Sequence, residues 1–214
     1  MEILTSIIIV ITGYIIGTFN PSYILGKING MDIRQSGSGN AGASNALINF
    51  GKMWGVICAF VDIAKPCVAI LICKKIFPKI AFITALAGGA CILGHMYPFY
   101  MGFRGGKGLA CLGGTVLAYD WKVFIIFLAG ALILAIVSDY ICFVPMSASV
   151  IFAITYGFME KDIIGAVVLL LISVCIILRH KENIQRIKEG TELRISYLWK
   201  KDSEMERVIG NSEK

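Results

Sequence analysis

The chain has 214 residues, of which 57% are hydrophobic and 16% charged, with a formal net charge of +6 and a mean hydropathy of +0.78. So little charge excludes an ordinary soluble domain, which keeps about 25% charged residues for its surface. Solid apolar runs exclude a transmembrane β-barrel, which would alternate, and the positive balance speaks for membrane topology rather than nucleic-acid binding.

The apolar blocks predict an all-α, polytopic integral membrane protein with seven helices, at roughly 3–25, 53–73, 79–98, 107–118, 122–138, 140–158 and 162–179. Several blocks approach the ~20 residues a helix needs to cross a ~30 Å hydrocarbon core. Within lipid every backbone group must be satisfied inside its own segment, which demands helices. The block from Ile3 to Gly17 has no basic flank and no small-x-small cleavage site, so it reads as a first membrane helix and not as a signal peptide. The helix at 107–118 is short and reads as tilted or as a half-helix. A single membrane unit is expected over 1–195, followed by a polar tail over 196–214. The seven cysteines sit mostly inside apolar blocks with no Cys-x-x-Cys pair, as small buried hydrophobes do; no disulfide and no metal site are expected.

Lysine and arginine set the expected orientation. With the N-terminus outside, fourteen of them fall in inside segments and five outside, with Lys65 in the membrane. The cluster Lys74, Lys75 and Lys79 runs against this orientation, and the total supports it. The polar segments described next then face the cytoplasm.

The first polar segment is 32–52. Asp32, Ile33 and Arg34 precede Gly37, Ser38, Gly39, Asn40, Ala41, Gly42, Ala43, Ser44 and Asn45. Small residues let backbone N–H groups approach an anion, and such nests bind phosphate. Asn45 leads into a helical pattern whose N-terminus adds its dipole. A flexible linker is the plainer alternative. In the next apolar block, Asp62 and Lys65 lie one turn apart at a depth where each charge costs ~2.5–3.5 kcal/mol. They either neutralise each other or take part in a site, and Pro66 frees a backbone carbonyl near Asp62.

The second polar segment is 94–114. Arg104, Gly105, Gly106, Lys107 and Gly108 place cations beside exposed backbone at a helix start, the logic of a phosphate site. No Walker A spacing is present, so nucleotide binding is not implied. His95 reads as a capped histidine at a membrane edge, and Tyr97, Phe99, Tyr100 and Phe103 as an interfacial belt. The third segment is 179–192. On a continuing helix Arg179, His180, Asn183, Arg186 and Ile187 share one face. A basic stretch anchored on anionic lipid is the alternative, weakened by Glu182, Glu189 and Glu192.

Taken together, these segments resemble the bacterial glycerol-3-phosphate acyltransferases that use acyl phosphate as donor, over about residues 10–195. That family carries Gly-Ser-Gly-Asn-x-Gly-Ala-Thr-Asn, then Gly-His-x-x-Pro running into Gly-Gly-Lys-Gly, then Arg-His-x-x-Asn-Ile-x-Arg. They stand here as Gly37 to Asn45 (with Ser44 for threonine), Gly94 to Gly108, and Arg179 to Arg186. The resemblance implies a compact seven-helix enzyme of phospholipid synthesis in a bacterial plasma membrane. It implies acyl transfer from acyl phosphate to the sn-1 hydroxyl of glycerol 3-phosphate, giving lysophosphatidic acid and phosphate, without a cofactor or metal. Its partners are the two substrates and membrane lipid, not nucleic acid. By position it implies catalytic roles for Ser38, Lys107, His180 and Asn183. It implies substrate binding by Gly37, Gly39, Asn40, Asn45, Arg104, Gly105, Gly106, Gly108, Arg179 and Glu192.

The chain departs from the family at Ile48, where an arginine is usual, and more mildly at Pro66 (glycine) and Cys111 (threonine). Losing the arginine removes a bidentate phosphate partner, which Arg34 or Lys52 would have to replace. Acyl phosphate is already activated, so positioning and charge stabilisation are the main tasks. Either His180 or a phosphate oxygen of the substrate takes the hydroxyl proton. No His-x4-Asp pair is present, which disfavours the acyltransferases built on it. An organic-phosphate transporter and an inactive, regulatory relative are the competing readings.

Overall fold

The structure is a computed structural model and describes residues 2–80 and 82–212. Ala81, inside the predicted third helix, and residues 213–214 of the predicted tail lie outside the described residues, as does Met1. Among the described residues every regular element is helical. The helices are α1 (Glu2–Thr18), α2 (Pro21–Ile28), α3 (Ala43–Phe50), α4 (Lys52–Ile76), α5 (Gly89–Met96, entered through a π-helical turn at Thr84–Gly88), α6 (Leu109–Tyr119), α7 (Trp121–Ser138), α8 (Phe143–Glu160), α9 (Ile163–Arg179), α10 (Lys181–Lys188) and α11 (Lys201–Ser212).

Each predicted helix has a counterpart, with corrections. The expected helix at 3–25 breaks at Phe19–Asn20. There Asn20 caps α2, accepting from Tyr23 N at 2.8 Å, and Pro21 takes the first helical position, where no N–H is needed. Among the described residues four stretches are long and apolar enough to span a bilayer: Ile3–Ile28, Lys52–Ile76, Trp121–Ser138 and Phe143–Glu160. A fifth is added if α9 and α10, bent by 41° at their junction, count together. At 11 residues α6 is only about 17 Å long, so length alone does not give seven spans.

Membrane helices gain little from hydrophobic attraction and pack through small residues. Helix α1 lies against α5 in this way: a Cβ on Gly13 would meet Ala87 O at 2.5 Å, and one on Gly94 would strike the α1 backbone at Tyr14 and Thr18. The largest core cluster joins α5, α6, α8 and α9 through Met96, Leu112, Phe152, Tyr156 and Ile176. By contrast α7 is apolar all round and exposes Ile126, Ile133, Ile136 and Val137, as a lipid-facing helix does.

The polar tail is not loose. Ser196 donates from its N–H and Oγ to Asp139, at 2.8 and 2.9 Å, and α11 folds back on the turn after α10. All seven cysteines are free thiols.

Candidate active site

Loops after α2, α5 and α9 converge at one end of the bundle around a cavity of about 390 Å³. Loop one starts with a short 3-10 turn, Ile33–Gln35, capped by Asp32. Arg34 folds back onto the Asp32 carboxylate, with NH2 at 2.7 Å, while its NH1 donates to Met101 O at 2.6 Å and so ties loop one to loop two. The guanidinium holds the Asp32 carboxyl at about 2, below the usual 3.8.

Asn45 organises the rest of this loop from beneath. It is fully buried; its Oδ1 accepts from Ser38 N at 2.8 Å, and its Nδ2 donates to the carbonyls of Ile33, Ser36 and Asn40 at 2.7, 3.0 and 2.8 Å. The amide serves the loop and, with Asn49 Nδ2 donating to its Oδ1 at 3.0 Å, α3 as well; it stands under the cavity wall and not on it. Gly37 turns here with φ +60°, in the left-handed region, and a Cβ there would run into Asn45 Oδ1.

Loop two leaves α5 through Pro98 and returns at once. Gly105 N donates to Met96 O and Gly106 N to His95 O, both at 3.0 Å. A side chain on Gly106 is impossible without a shift, because its Cβ would lie 2.6 Å from the Cε1 of His95. Lys107 follows, half-buried, and donates a hydrogen bond to Asn183 Oδ1. Burial pushes its ammonium below the usual 10.5, and Arg186 pushes the same way, against Glu192 and Glu182.

Beneath loop two lies a cluster of four buried groups. Lys65 Nζ is paired with Asp62 Oδ1 at 2.8 Å and donates to His95 Nδ1 and Phe19 O, both at 2.9 Å. The same His95 Nδ1 lies 3.4 Å from Asp62 Oδ1, so Lys65 and His95 converge on one carboxylate oxygen. His95 is a satisfied histidine: it is 3% exposed, takes the Lys65 hydrogen bond and braces Gly106. Asp62 and Lys65 do neutralise each other, as the one-turn spacing suggests. Asp62, His95 and Cys111 have donor atoms within 4.8 Å of one another. The Lys65 ammonium already supplies a positive charge to that cluster, beside both Asp62 and His95.

The third loop corrects the shared-face expectation. The chain bends at His180, which ends α9 and begins α10, so Arg179 and Asn183 do not lie on one continuous helix. Arg179 donates to Gly105 O at 3.0 Å and stacks over the Tyr97 ring at 5.7 Å; its buried Nε has no partner among the described residues. His180 is buried, and its Nδ1–H donates to Ile176 O at 2.8 Å. Burial lowers its pKa, the Ile176 hydrogen bond opposes this, and Lys107 and Arg179 lower it further. The balance favours the neutral imidazole, in which Nε2 accepts. Asn183 donates to Glu192 Oε1 at 2.5 Å, and Arg186 Nε reaches Glu192 Oε2 at 2.6 Å.

The cavity wall holds Ser38, Gly39, Asn40, Arg104, Gly105, Lys107 and Arg179 of the predicted set. Gly37, Asn45, Gly106, Gly108, His180, Asn183 and Glu192 stand behind it. Asp32, Gln35, Met101 and Glu182 also line the wall and were not singled out from the sequence as site residues. The Asp-Ile-Arg run before the glycines was the available signal for Asp32; Met101 and Glu182 arrive only through tertiary folding. Ile48 is off the wall and half-exposed on α3, beside Gly37. Arg34 reaches the cavity, but Asp32 and the Met101 carbonyl already take its donors, so it is no free replacement for an arginine at 48.

The family model of glycerol-3-phosphate acyltransferase matches residues 7–190. The chain belongs to the glycerol-3-phosphate acyltransferase family. It is 36% identical over 203 residues to the glycerol-3-phosphate acyltransferase of Clostridioides difficile (strain 630), covering 91% of this chain and 98% of that protein. It is 38% identical over 193 residues to the enzyme of the same name from Thermosipho melanesiensis, covering 90% and 92%. Among solved structures it is similar to PlsY (YgiH), an integral membrane glycerol 3-phosphate acyltransferase. The glycerol 3-phosphate form superposes with a TM-score of 0.81 at 32% identity, covering 90% of this chain and 96% of that one. The lysophosphatidic acid form gives 0.78 at 30% identity, covering 96% and 98%. The protein is thus an all-helical integral membrane member of an acyltransferase family.

Proposed function

We propose that the chain transfers a fatty acyl group from acyl phosphate to the sn-1 hydroxyl of glycerol 3-phosphate. The products are 1-acyl-glycerol 3-phosphate and phosphate, made for phospholipid synthesis at the cytoplasmic face of a bacterial plasma membrane. One observation carries this reading above the others: three loops far apart in sequence bring Lys107, Arg104 and Arg179 to one cavity, beside Ser38, Gly39, Asn40 and Gly105. Two phosphate substrates need such a surface of convergent cations; the N–H groups of Ser38, Gly39 and Gly105 already serve Asn45, Ser36 and Met96, so the cations carry the attraction. The cytoplasmic orientation rests on the distribution of lysine and arginine.

In the proposed mechanism Lys107 binds the phosphate of glycerol 3-phosphate, held toward it by Asn183. Ser38 and the neighbouring glycine backbones face the acyl phosphate. The glycerol oxygen attacks the acyl carbonyl carbon, the carbon–oxygen bond to phosphate breaks, and the hydroxyl proton passes to a phosphate oxygen, leaving hydrogen phosphate. His180 stands off the cavity wall with one nitrogen committed to Ile176, which supports an orienting role over that of a base. The catalytic power is then mostly positioning and electrostatic stabilisation.

Ile48 sustains a second reading, an inactive or regulatory relative that binds acyl phosphate without turnover. A transporter is less well supported, because Asp62 and Lys65, the charges buried deepest in the helices, are spent on each other. Purified protein supplied with palmitoyl phosphate and glycerol 3-phosphate tests the first reading, followed by phosphate release and lysophosphatidic acid formation. Turnover that Lys107→Ala abolishes supports it; none from folded protein moves the assignment to the second.

A further inference from the structure

The C-terminal helix lies beyond the matched stretch, which ends at residue 190, yet it reaches the motif that carries Asn183 and Glu192. Helix α10 stops at Gly190, whose φ of +72° reverses the chain, and Glu192 N returns to Arg186 O at 3.1 Å. This turn leaves the carbonyls of Gly190 and Glu192 facing α11. Arg207 fills the place opposite them. Its NH1 donates to Gly190 O, its NH2 to Glu192 O at 2.7 Å, and its Nε and NH2 hold the buried Glu204 at 3.1 and 2.8 Å. Asn211 adds a second donor to Gly190 O at 3.1 Å. The segment joining the two helices is itself pinned, with Ile195 N on Asp139 O at 2.9 Å and Arg194 stacked on Tyr140.

An unbroken chain of contacts runs from this clamp to the cavity. Arg207 holds the backbone of Glu192; the Glu192 carboxylate holds the Asn183 amide; Asn183 accepts from Lys107. An amide rotates freely unless both its ends are tied. Here Glu192 accepts from its NH2 group, which turns its oxygen toward Lys107. We infer that Arg207 is a positioning residue of the acyl-transfer site, acting through Glu192 and Asn183 to aim Lys107 at the substrate phosphate. The inference rests on the acyltransferase reading for its kinetic consequence and on geometry alone for the clamp. A planar guanidinium spans two carbonyls and a carboxylate at once, which a single ammonium does not.

The test compares wild type, Arg207→Ala and Arg207→Lys in the full-length purified protein. Steady-state kinetics are run against both substrates, and hydrogen–deuterium exchange is read over residues 183–192. Loss of the clamp is expected to raise KM for glycerol 3-phosphate roughly tenfold, with KM for acyl phosphate within about twofold, as misplacing a binding group does. The lysine variant is expected between the two. Exchange over 183–192 is expected to quicken in the alanine variant. A merely stabilising helix would lower the active fraction and kcat while leaving both KM values alone. An unchanged KM for glycerol 3-phosphate, or wild-type exchange over 183–192 in Arg207→Ala, overturns the inference. If the wild type itself fails to turn over, the acyltransferase reading falls, and the exchange measurement still decides whether the clamp exists.

Discussion

Lys107 donates a hydrogen bond to the side-chain oxygen of Asn183, a residue 76 positions further along the chain. This contact joins the second polar segment to the third and fixes where a half-buried cation of the cavity points. Lys107 reaches it only because the glycines before it press onto the end of α5, and Asn183 only because the chain bends at His180. The site is thus a property of how three loops lock together.

The lock in the first loop predicts a large response to one small change. Asn45 satisfies Ser38 N and three carbonyls from full burial. Asn45→Ala leaves Ser36 O to Gly39 N and Ile33 O to Ser36 N but removes the partner of Ser38 N and of Asn40 O, and each unsatisfied buried group costs about 1–3 kcal/mol. Thermal unfolding in detergent is expected to shift down by several degrees, and turnover to fall with it. Asn45→Ala at the wild-type midpoint would show that the loop does not depend on this amide.

The buried pair predicts asymmetry between single and double changes. Lys65→Met leaves Asp62 with only His95 beside it, at 3.4 Å, and breaking such a pair costs about 3–5 kcal/mol. The double variant Asp62→Leu, Lys65→Met removes both charges and is expected to recover much of the lost stability. A double variant no more stable than the single one contradicts the account of mutual neutralisation.

How much of this was open to reading from the sequence differs by residue. The glycine loops and Lys107 were legible, because small residues beside a cation have few uses in an apolar chain. Five of the apolar blocks became helices close to their expected limits; the first is broken at Phe19–Asn20, and the third starts its helical turns only at Thr84. His95 is satisfied, as its sequence setting suggests, but its partner was not legible, because Lys65 lies 30 residues away and nothing local signals the contact. Asn45 looked like a ligand because an exposed amide and a loop organiser have the same local sequence. The bend at His180 and the strap by Arg207 depend on contacts across the fold, which no periodicity records.

Lys107 also sets a pH dependence. It must be protonated to attract phosphate, and burial lowers its pKa from the usual 10.5. Raising the pH through that lowered value removes the charge, so kcat/KM for glycerol 3-phosphate falls on the alkaline side earlier than for an ordinary lysine. Lys107→Arg keeps its charge and is expected to push that limb to higher pH while lowering the maximum. An alkaline limb identical in the two proteins would assign it to another group.

Ile48 makes a prediction in the direction of gain. It lies beside Gly37 at the start of the glycine loop, where the family resemblance places an arginine. Ile48→Arg adds a charge-assisted donor near the cavity, worth about 1.5 kcal/mol or roughly tenfold in kcat/KM. Unchanged kinetics would show that this chain holds the phosphate without that position.

The most direct measurement is donor specificity in the purified protein. Palmitoyl phosphate and palmitoyl-CoA are each supplied with glycerol 3-phosphate, and lysophosphatidic acid and released phosphate are followed, with Lys107→Ala beside the wild type. The account predicts equimolar lysophosphatidic acid and phosphate from palmitoyl phosphate alone, and a fall of about a hundredfold or more in the variant. Product from palmitoyl-CoA instead, or wild-type turnover without Lys107, would contradict it.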